Sequence, residues 1–517
     1  MNEEIPSKRA GGRSARIAKR AAPPPPESRA VKPGMSGGSF QPLSIPQMEK
    51  IFDSALDLLE KIGMAQAIPE FVDLVTSNGG TFTSEERLLF PKDLVRSMID
   101  AAAKEFTLFG FDEKHNLEIG GDRVHFSTGG AAVLMLDHET SSFRESQLKD
   151  IFNIGRVIEQ LDNIHLYVRT VVARDMESSR ELDFNTAYAA MISTTKPIGT
   201  SFFHPDHVHE ISQMFNIALT GDPNSDEFRK RPFCIANNTF VVPPLRFAEE
   251  STLCMAEQVR VGMPINLLSA GQAGATSPAT LAGSLTQALA ECLAALTCVN
   301  LLSPGHPCTM GMWPFVSDLR TGAMSGGSGE EAILNAAAAQ LVNWIGLPSG
   351  VAAGMADSKL PDNQAGHEKG TTVTLAAQAG ANIVFESAGM LASLLSYSLE
   401  ALVVDNDMLG SIARTVRGIE VDDESVAVEV IKDVIEGPGH FLGHPQTLEV
   451  MQTEYVYPLV GDRLSPDDWK DAGSLDVRVR ANSKVLEILS SSLPSHISSD
   501  ADSLIREMFP IRLILEN

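Results

Sequence analysis

The residues of this chain best placed to do chemistry fall between Ser349 and Ser387. Val351 to Ala356 is a short run of small apolar residues, suited to a buried strand, and it stops on Asp357, Ser358 and Lys359. Pro361 and Asp362 open a helical pattern that carries His367 and closes at Gly380. Asn382 to Phe385 is a second apolar run, and it stops on Glu386. Charged side chains at the carboxyl ends of buried strands are where parallel α/β folds do their chemistry. Carboxylates there hold a cation, as does Trp313 at another strand end by offering its ring face. Lys359, His204 and Asn238, at neighbouring strand ends, would pair with an anionic group.

Two further clusters have competing readings. His204-Pro205-Asp206-His207-Val208-His209 brings three imidazoles and a carboxylate together, as a metal site requires. His207 and His209, however, lie two apart on a helix and so on different faces, which favours a helix cap with one histidine at the strand end. Ser325-Gly326-Gly327-Ser328-Gly329-Glu330 could cradle a phosphate, but it has no P-loop lysine and does not directly follow a strand. A hinge followed by a helix cap is the simpler reading.

Eight strands must position these groups. The pattern places them at Val124–Thr128, His165–Val172, Pro197–Phe203, Phe233–Phe240, Met263–Ser269, Cys308–Trp313, Val351–Ala356 and Asn382–Phe385. Helical patterns fall between them, and an eighth helix is expected over Gly389–Val404. Eight such units within residues 123–405 predict a closed (β/α)₈ barrel of the TIM type. Residues 40–122 read as an N-terminal cap of three helices, Pro46–Ile62, Pro69–Ser77 and Pro91–Glu105, and a hairpin, Phe106–Phe111 with Asn116–Gly120. Residues 406–517 read as a C-terminal helical extension that includes a helix over Glu424–Ile435. Its glycine-rich segment Gly437–Pro445 carries His440, Phe441 and His444 and could fold back over the barrel.

Composition narrows the partners. The net charge is −25, yet Met1–Ser39 carries eight Lys/Arg against three Asp/Glu, leaving −30 on the body. Such a body repels nucleic acid and anionic membrane and attracts cations. The basic tail with Pro23–Pro26 lacks aromatic residues and reads as a flexible arm or as a tail that embraces a neighbouring subunit, and a homo-oligomer is expected. No apolar run of about 18 residues is evident, so no membrane span is expected. No apolar signal core opens the chain, and the five cysteines include no C-x-x-C, so a cytoplasmic protein without bound metal is expected.

With these motifs in hand, the chain resembles the trimethylamine methyltransferase family. The resemblance rests on R-A-G-G-R-S-A-R at Arg9–Arg16, D-S-K-L-P-D-N-Q-A-G-H-E-K at Asp357–Lys369 and V-F-E-S at Val384–Ser387. G-H-F-L-G-H-P-Q-T at Gly439–Thr447, Y-P-L-V-G-D-R at Tyr457–Arg463 and Trp469 extend it. It implies a barrel enzyme that passes a methyl group from a methylated amine to cobalamin, a corrinoid, carried by a small partner protein. No cofactor is then tightly bound to this chain, and the loop bearing His440, Phe441 and His444 faces the corrinoid. Archaeal trimethylamine enzymes carry pyrrolysine, whereas this sequence is built of the ordinary twenty residues. That departure points to a quaternary amine such as a betaine, whose leaving group is already good. Two readings of other classes stay open: a metal-dependent barrel hydrolase, and a non-catalytic amine-binding protein.

Overall fold

The computed structural model describes residues 29–437 and 439–515; most of the basic tail lies outside the described residues. Eight parallel strands form the centre: Arg123–Phe126, Tyr167–Val168, Ile198–Thr200, Cys234–Ala236, Ile265–Ser269, Cys308–Met312, Ser349–Ala352 and Ile383–Phe385. Each pairs in parallel with its sequence neighbours, and the eighth pairs with the first. A bridge between Ser127 and Leu166 joins the first strand to the second and closes the barrel. All eight expected strands are present. In most of them the C-terminal residues of the expected run leave the ladder and form the rim, whereas Ile265–Ser269 and Ile383–Phe385 keep theirs.

Helices Leu148–Glu159, Ser179–Ser193, Pro205–Thr220, Glu249–Val261, Leu281–Leu302, Gly329–Trp344, Asn363–Gln378 and Leu399–Arg417 alternate with the strands. The last of these corrects the expectation for Gly389–Val404. Residues 390–391 and 396–398 are short strands, and the backbone between them is left-handed at Ala392, Ser393 and Leu394. What overrides the helical spacing is a distant partner: Ser396–Ser398 pairs in parallel with Leu134–Leu136, which in turn pairs with Phe143–Glu145. The loops after the first and eighth strands thereby build a small sheet. Gln272–Ala273 and Phe315–Val316, after the fifth and sixth strands, form a second ladder. The boundary placed at residue 405 falls inside the eighth helix.

The outer layers brace the barrel from the side. Helices Ile45–Lys61, Pro69–Ser77 and Lys92–Ala101 pack on the fifth barrel helix, Leu281–Leu302. By length and composition that helix is apolar enough to cross a membrane, although Ser284, Gln287 and Glu291 keep it from being an unbroken apolar run. Here 83% of its apolar window is buried between the strands and the N-terminal helices, which accounts for its composition as a core helix. The hairpin forms as Glu105–Leu108 with Leu117–Gly120. Residues 29–39 are not a free arm, because Met35–Ser36 pairs antiparallel with the first barrel strand and Ala30 is buried. In the C-terminal extension, Val477–Leu489 packs on the eighth and first barrel helices, and Ser499–Met508 packs on the third. The helix expected over Glu424–Ile435 runs over Val428–Glu436.

Candidate functional site

The candidate site lies at the carboxyl ends of the strands, where Gly129 and Gly130 after the first strand meet Glu386 after the eighth. Glu386 follows the eighth strand with a left-handed φ of 62°, a costly conformation for a side chain branched only by its carboxyl. The next residue holds it in place: the Ser387 N–H and hydroxyl both donate to the Ser127 carbonyl, at 3.0 and 2.8 Å. Gly129 and Gly130, after the first strand, leave space for the carboxyl group. A Cβ at Gly129 would sit 3.1 Å from Glu386 Oε1, and one at Gly130 would sit 3.0 Å from Oε2.

The buried carboxyl groups sort into two kinds. Glu291 is buried and satisfied: it accepts from the Leu245 N–H at 2.8 Å, from Gln287 at 3.1 Å and from the Ser269 hydroxyl. Asp183 accepts from the Phe203 N–H at 2.8 Å and lies 2.7 Å from His207 Nδ1. Asp405 pairs with Lys369 at 2.5 Å and accepts from the Gly389 N–H at 2.7 Å. Glu386 and Glu331 are 0% exposed, and all four of their oxygens lack a hydrogen-bond partner. Burial pushes Glu386 up to about 8, with only the Arg169 charge drawing it down. Burial also drives Glu331 well above the usual carboxylate range, and the charges of Asp357 and Glu386 add to it, while the Val316 backbone draws it down. Leaving a buried carboxyl unsatisfied costs stability, so two such groups at the same end of the barrel, with Glu331 feeling the charge of Glu386, argue for a ligand that completes them.

The remaining walls are aromatic. Trp313 is 5% exposed, its ring centroid is 5.4 Å from that of Phe385 and 6.2 Å from that of Phe315, and its Nε1 has no partner. Tyr397, from the roof, is buried with its hydroxyl unpartnered, and its closest charged neighbours include Glu386. Aromatic faces beside carboxylates form a box for an ammonium group.

Other residues singled out from the sequence lie elsewhere or serve the frame. Asp357 is a junction. It accepts from the Gly326 N–H at 2.8 Å, the Ser325 hydroxyl at 3.1 Å and the Ser393 hydroxyl at 2.6 Å, so it ties together the loops after the sixth, seventh and eighth strands. The motif that contains it is wound on itself. Glu368 accepts from the Asp357 and Ser358 N–H groups, Asp362 caps the seventh helix, and Lys369 reaches Asp405. Lys359 is exposed and donates to the Asp357 carbonyl, and His367 is exposed on the helix. Asn238 donates to the Phe202 carbonyl and accepts from its N–H, so both ends of its amide are occupied. His204 is exposed and caps the third helix, accepting from the Asp206 N–H at 3.3 Å, while His207 is held by Asp183 inside the barrel wall. The His204 and His207 rings lie 5.5 Å apart while His209 turns to Glu257, and among the described residues no group of three or more His, Cys, Asp or Glu is arranged to hold a metal ion. Ser328 caps the sixth helix through the Glu331 N–H at 3.3 Å. His440 and Phe441 are exposed, and His444 caps Pro445–Val450.

Fold and site together define a (β/α)₈ barrel whose strand ends carry buried, unpartnered carboxyl groups and buried aromatic rings. The family model for trimethylamine methyltransferase (MTTB) matches residues 9–512. The chain belongs to this family. It is 31% identical over 478 residues to trimethylamine methyltransferase MttB of Desulfitobacterium hafniense, covering 92% of this chain and 95% of the relative. Identity is also 31% over 476 residues to MttB1 of Methanosarcina mazei, covering 90% and 94%. To a glycine betaine methyltransferase of Desulfitobacterium hafniense it is 27% over 461 residues, covering 89% and 95%. The monomethylamine methyltransferase structure from Methanosarcina barkeri aligns with a TM-score of 0.51 and 12% identity over 92% of both chains, which supports the fold.

Proposed function

We propose that this chain takes a methyl group from the nitrogen of a methylated amine, with a quaternary amine as the preferred donor, and delivers it to a corrinoid held by a partner protein. The observation that carries this reading is the two buried carboxyl groups, Glu386 and Glu331, both without a partner, on a barrel whose sixth strand is followed at once by the buried Trp313. A permanent cation satisfies them without needing a proton of its own. The relatives are named for two methylated amines, trimethylamine and glycine betaine, and the second of these is quaternary, which supports the same reading.

The partner's reduced corrinoid would supply the nucleophile, and the electrons of the broken C–N bond stay on nitrogen. This chain's task is then placement. Glu386 and Glu331 offset the positive charge, Trp313 and Phe315 lie against the N-methyl groups, and the enclosure keeps water away. Transfer turns the cation into a neutral tertiary amine. The carboxylates lose their counter-charge, Glu386 takes up a proton again, and the product is held less tightly. No general acid is required for a quaternary donor. Phe441 and Leu442, exposed on the glycine-rich loop near the exposed Val428, Ile431 and Ile435, are proposed as the docking face for the partner.

The test is a panel of methylamines offered to the purified enzyme with a reduced corrinoid, following the corrinoid spectrum. Quaternary amines are expected to turn over. Glu386→Gln and Trp313→Ala should each slow transfer by roughly tenfold or more. Turnover of trimethylamine with none of any quaternary amine would contradict the proposal, as would wild-type rates in both variants.

A further inference from the structure

Arg169 is a charged group in the barrel mouth that no strand-end reading had singled out. The second strand ends at Val168, and Arg169 is the first residue beyond it, its N–H held by the Gly199 carbonyl at 2.9 Å. Its Nε is wholly enclosed and has no acceptor. Among the described residues, no carboxylate closes an ion pair with its guanidinium. Its charge is felt by Asp183 and by Glu386. Asp183 is already committed to the Phe203 N–H and to His207. Glu386 and Arg169 follow the eighth and second strands, which flank the first strand in the closed barrel, and neither is the other's hydrogen-bond partner.

A guanidinium stays protonated at all working pH values and presents a planar fork matched to a carboxylate. A partly buried guanidinium whose enclosed Nε has no acceptor is incomplete in the same sense as an enclosed carboxyl with no cation. A ligand that lies between them must then present a cation to Glu386 and an anion to Arg169. We infer that Arg169 is the specificity-determining residue that selects, among N-methylated cations, those carrying a carboxylate a short distance from the nitrogen. This rests on the reading of the site as an ammonium box and assigns that box a second pole. It also moves the carboxylate-pairing role away from Lys359 and His204, both of which are exposed and turned to other partners. The methyl transfer is unchanged: the carboxylate orients the donor and takes no part in bond breaking.

The alternative is that Arg169 acts only through the charge it places on Glu386, and the two are separable. Dissociation constants for glycine betaine, choline and tetramethylammonium would be measured by calorimetry above the titration range of Glu386, on wild type, Arg169→Gln and Arg169→Lys. In the wild type, betaine is expected to bind about tenfold or more tighter than choline, a comparison that needs no variant. Arg169→Gln should weaken betaine by about tenfold while leaving the two cations within about twofold, and Arg169→Lys should restore part of the difference. Equal wild-type affinity for betaine and choline would overturn the inference. So would a variant that weakens all three ligands alike, which is the signature of an effect through Glu386. Binding of none of the three would instead overturn the ammonium-box reading itself, and the inference with it.

Discussion

At the scale of residues, Glu386 makes the protein's stability depend on pH. Its folded-state value of about 8 lies above the ordinary carboxylate range, so the native state keeps a proton that the unfolded chain has released. Stability from this group is present at acid pH and is lost as pH rises through the interval up to about 8. Glu386→Gln should therefore raise the melting temperature by a few degrees at mildly alkaline pH, with the gain shrinking as pH falls toward the carboxylate range. A thermal scan across that interval checks it, and an unchanged or lower melting temperature for the variant at alkaline pH would count against an unpaired carboxyl. Glu386 and Trp313 were legible in the sequence because each ends an apolar run. Glu331 was hidden, since Ser328-x-x-Glu331 has the spacing of a capping box, and only the fold shows that its carboxyl group does not turn back to cap. Arg169 was hidden inside an apolar run taken as strand through Val172, whereas the ladder stops at Val168.

Among the elements, the seventh helix and the turn before it do the positioning. Asp357 joins three mouth loops, and the buried pair Lys369–Asp405 reaches the Gly389 N–H, three residues beyond Glu386. Lys369→Met leaves Asp405 buried without its partner and should destabilise the fold by roughly 3–5 kcal/mol, read by denaturant unfolding. A loss within a few tenths of a kcal/mol would mean that the pair is not enclosed as described. The eight strands were legible because a buried parallel strand leaves a short apolar run with a polar end. The roof over the mouth was not. Its strands, Leu134–Leu136 and Ser396–Ser398, pair across more than half of the chain, and nothing in either segment's own spacing announces the other.

For the whole molecule, the sequence gives a body of net charge −30 once the basic N-terminal segment is set aside, and the mouth adds a local concentration of carboxyl groups. Such a field gathers cationic ligands. The exposed apolar residues of the C-terminal extension form a different kind of surface. Phe441→Asp should raise the KM for the corrinoid protein by about tenfold while leaving amine affinity unchanged, because a buried aromatic anchor commonly dominates a docking face. Unchanged steady-state kinetics with the partner protein would remove this loop from the interface.

The claim on which the rest depends is that a methylated ammonium sits on Glu386 in the barrel mouth. With Glu386 near 8, that group is mostly protonated at neutral pH, and a permanent cation must displace the proton to be held. Calorimetric titration with tetramethylammonium at neutral pH, in buffers of different ionisation enthalpy, counts the protons released. Binding should release about one proton for each carboxyl group that ionises, affinity should rise at least tenfold per pH unit up to about 8, and Glu386→Gln should remove about one proton from the count. Binding with no proton release, equally tight in Glu386→Gln, would contradict the account.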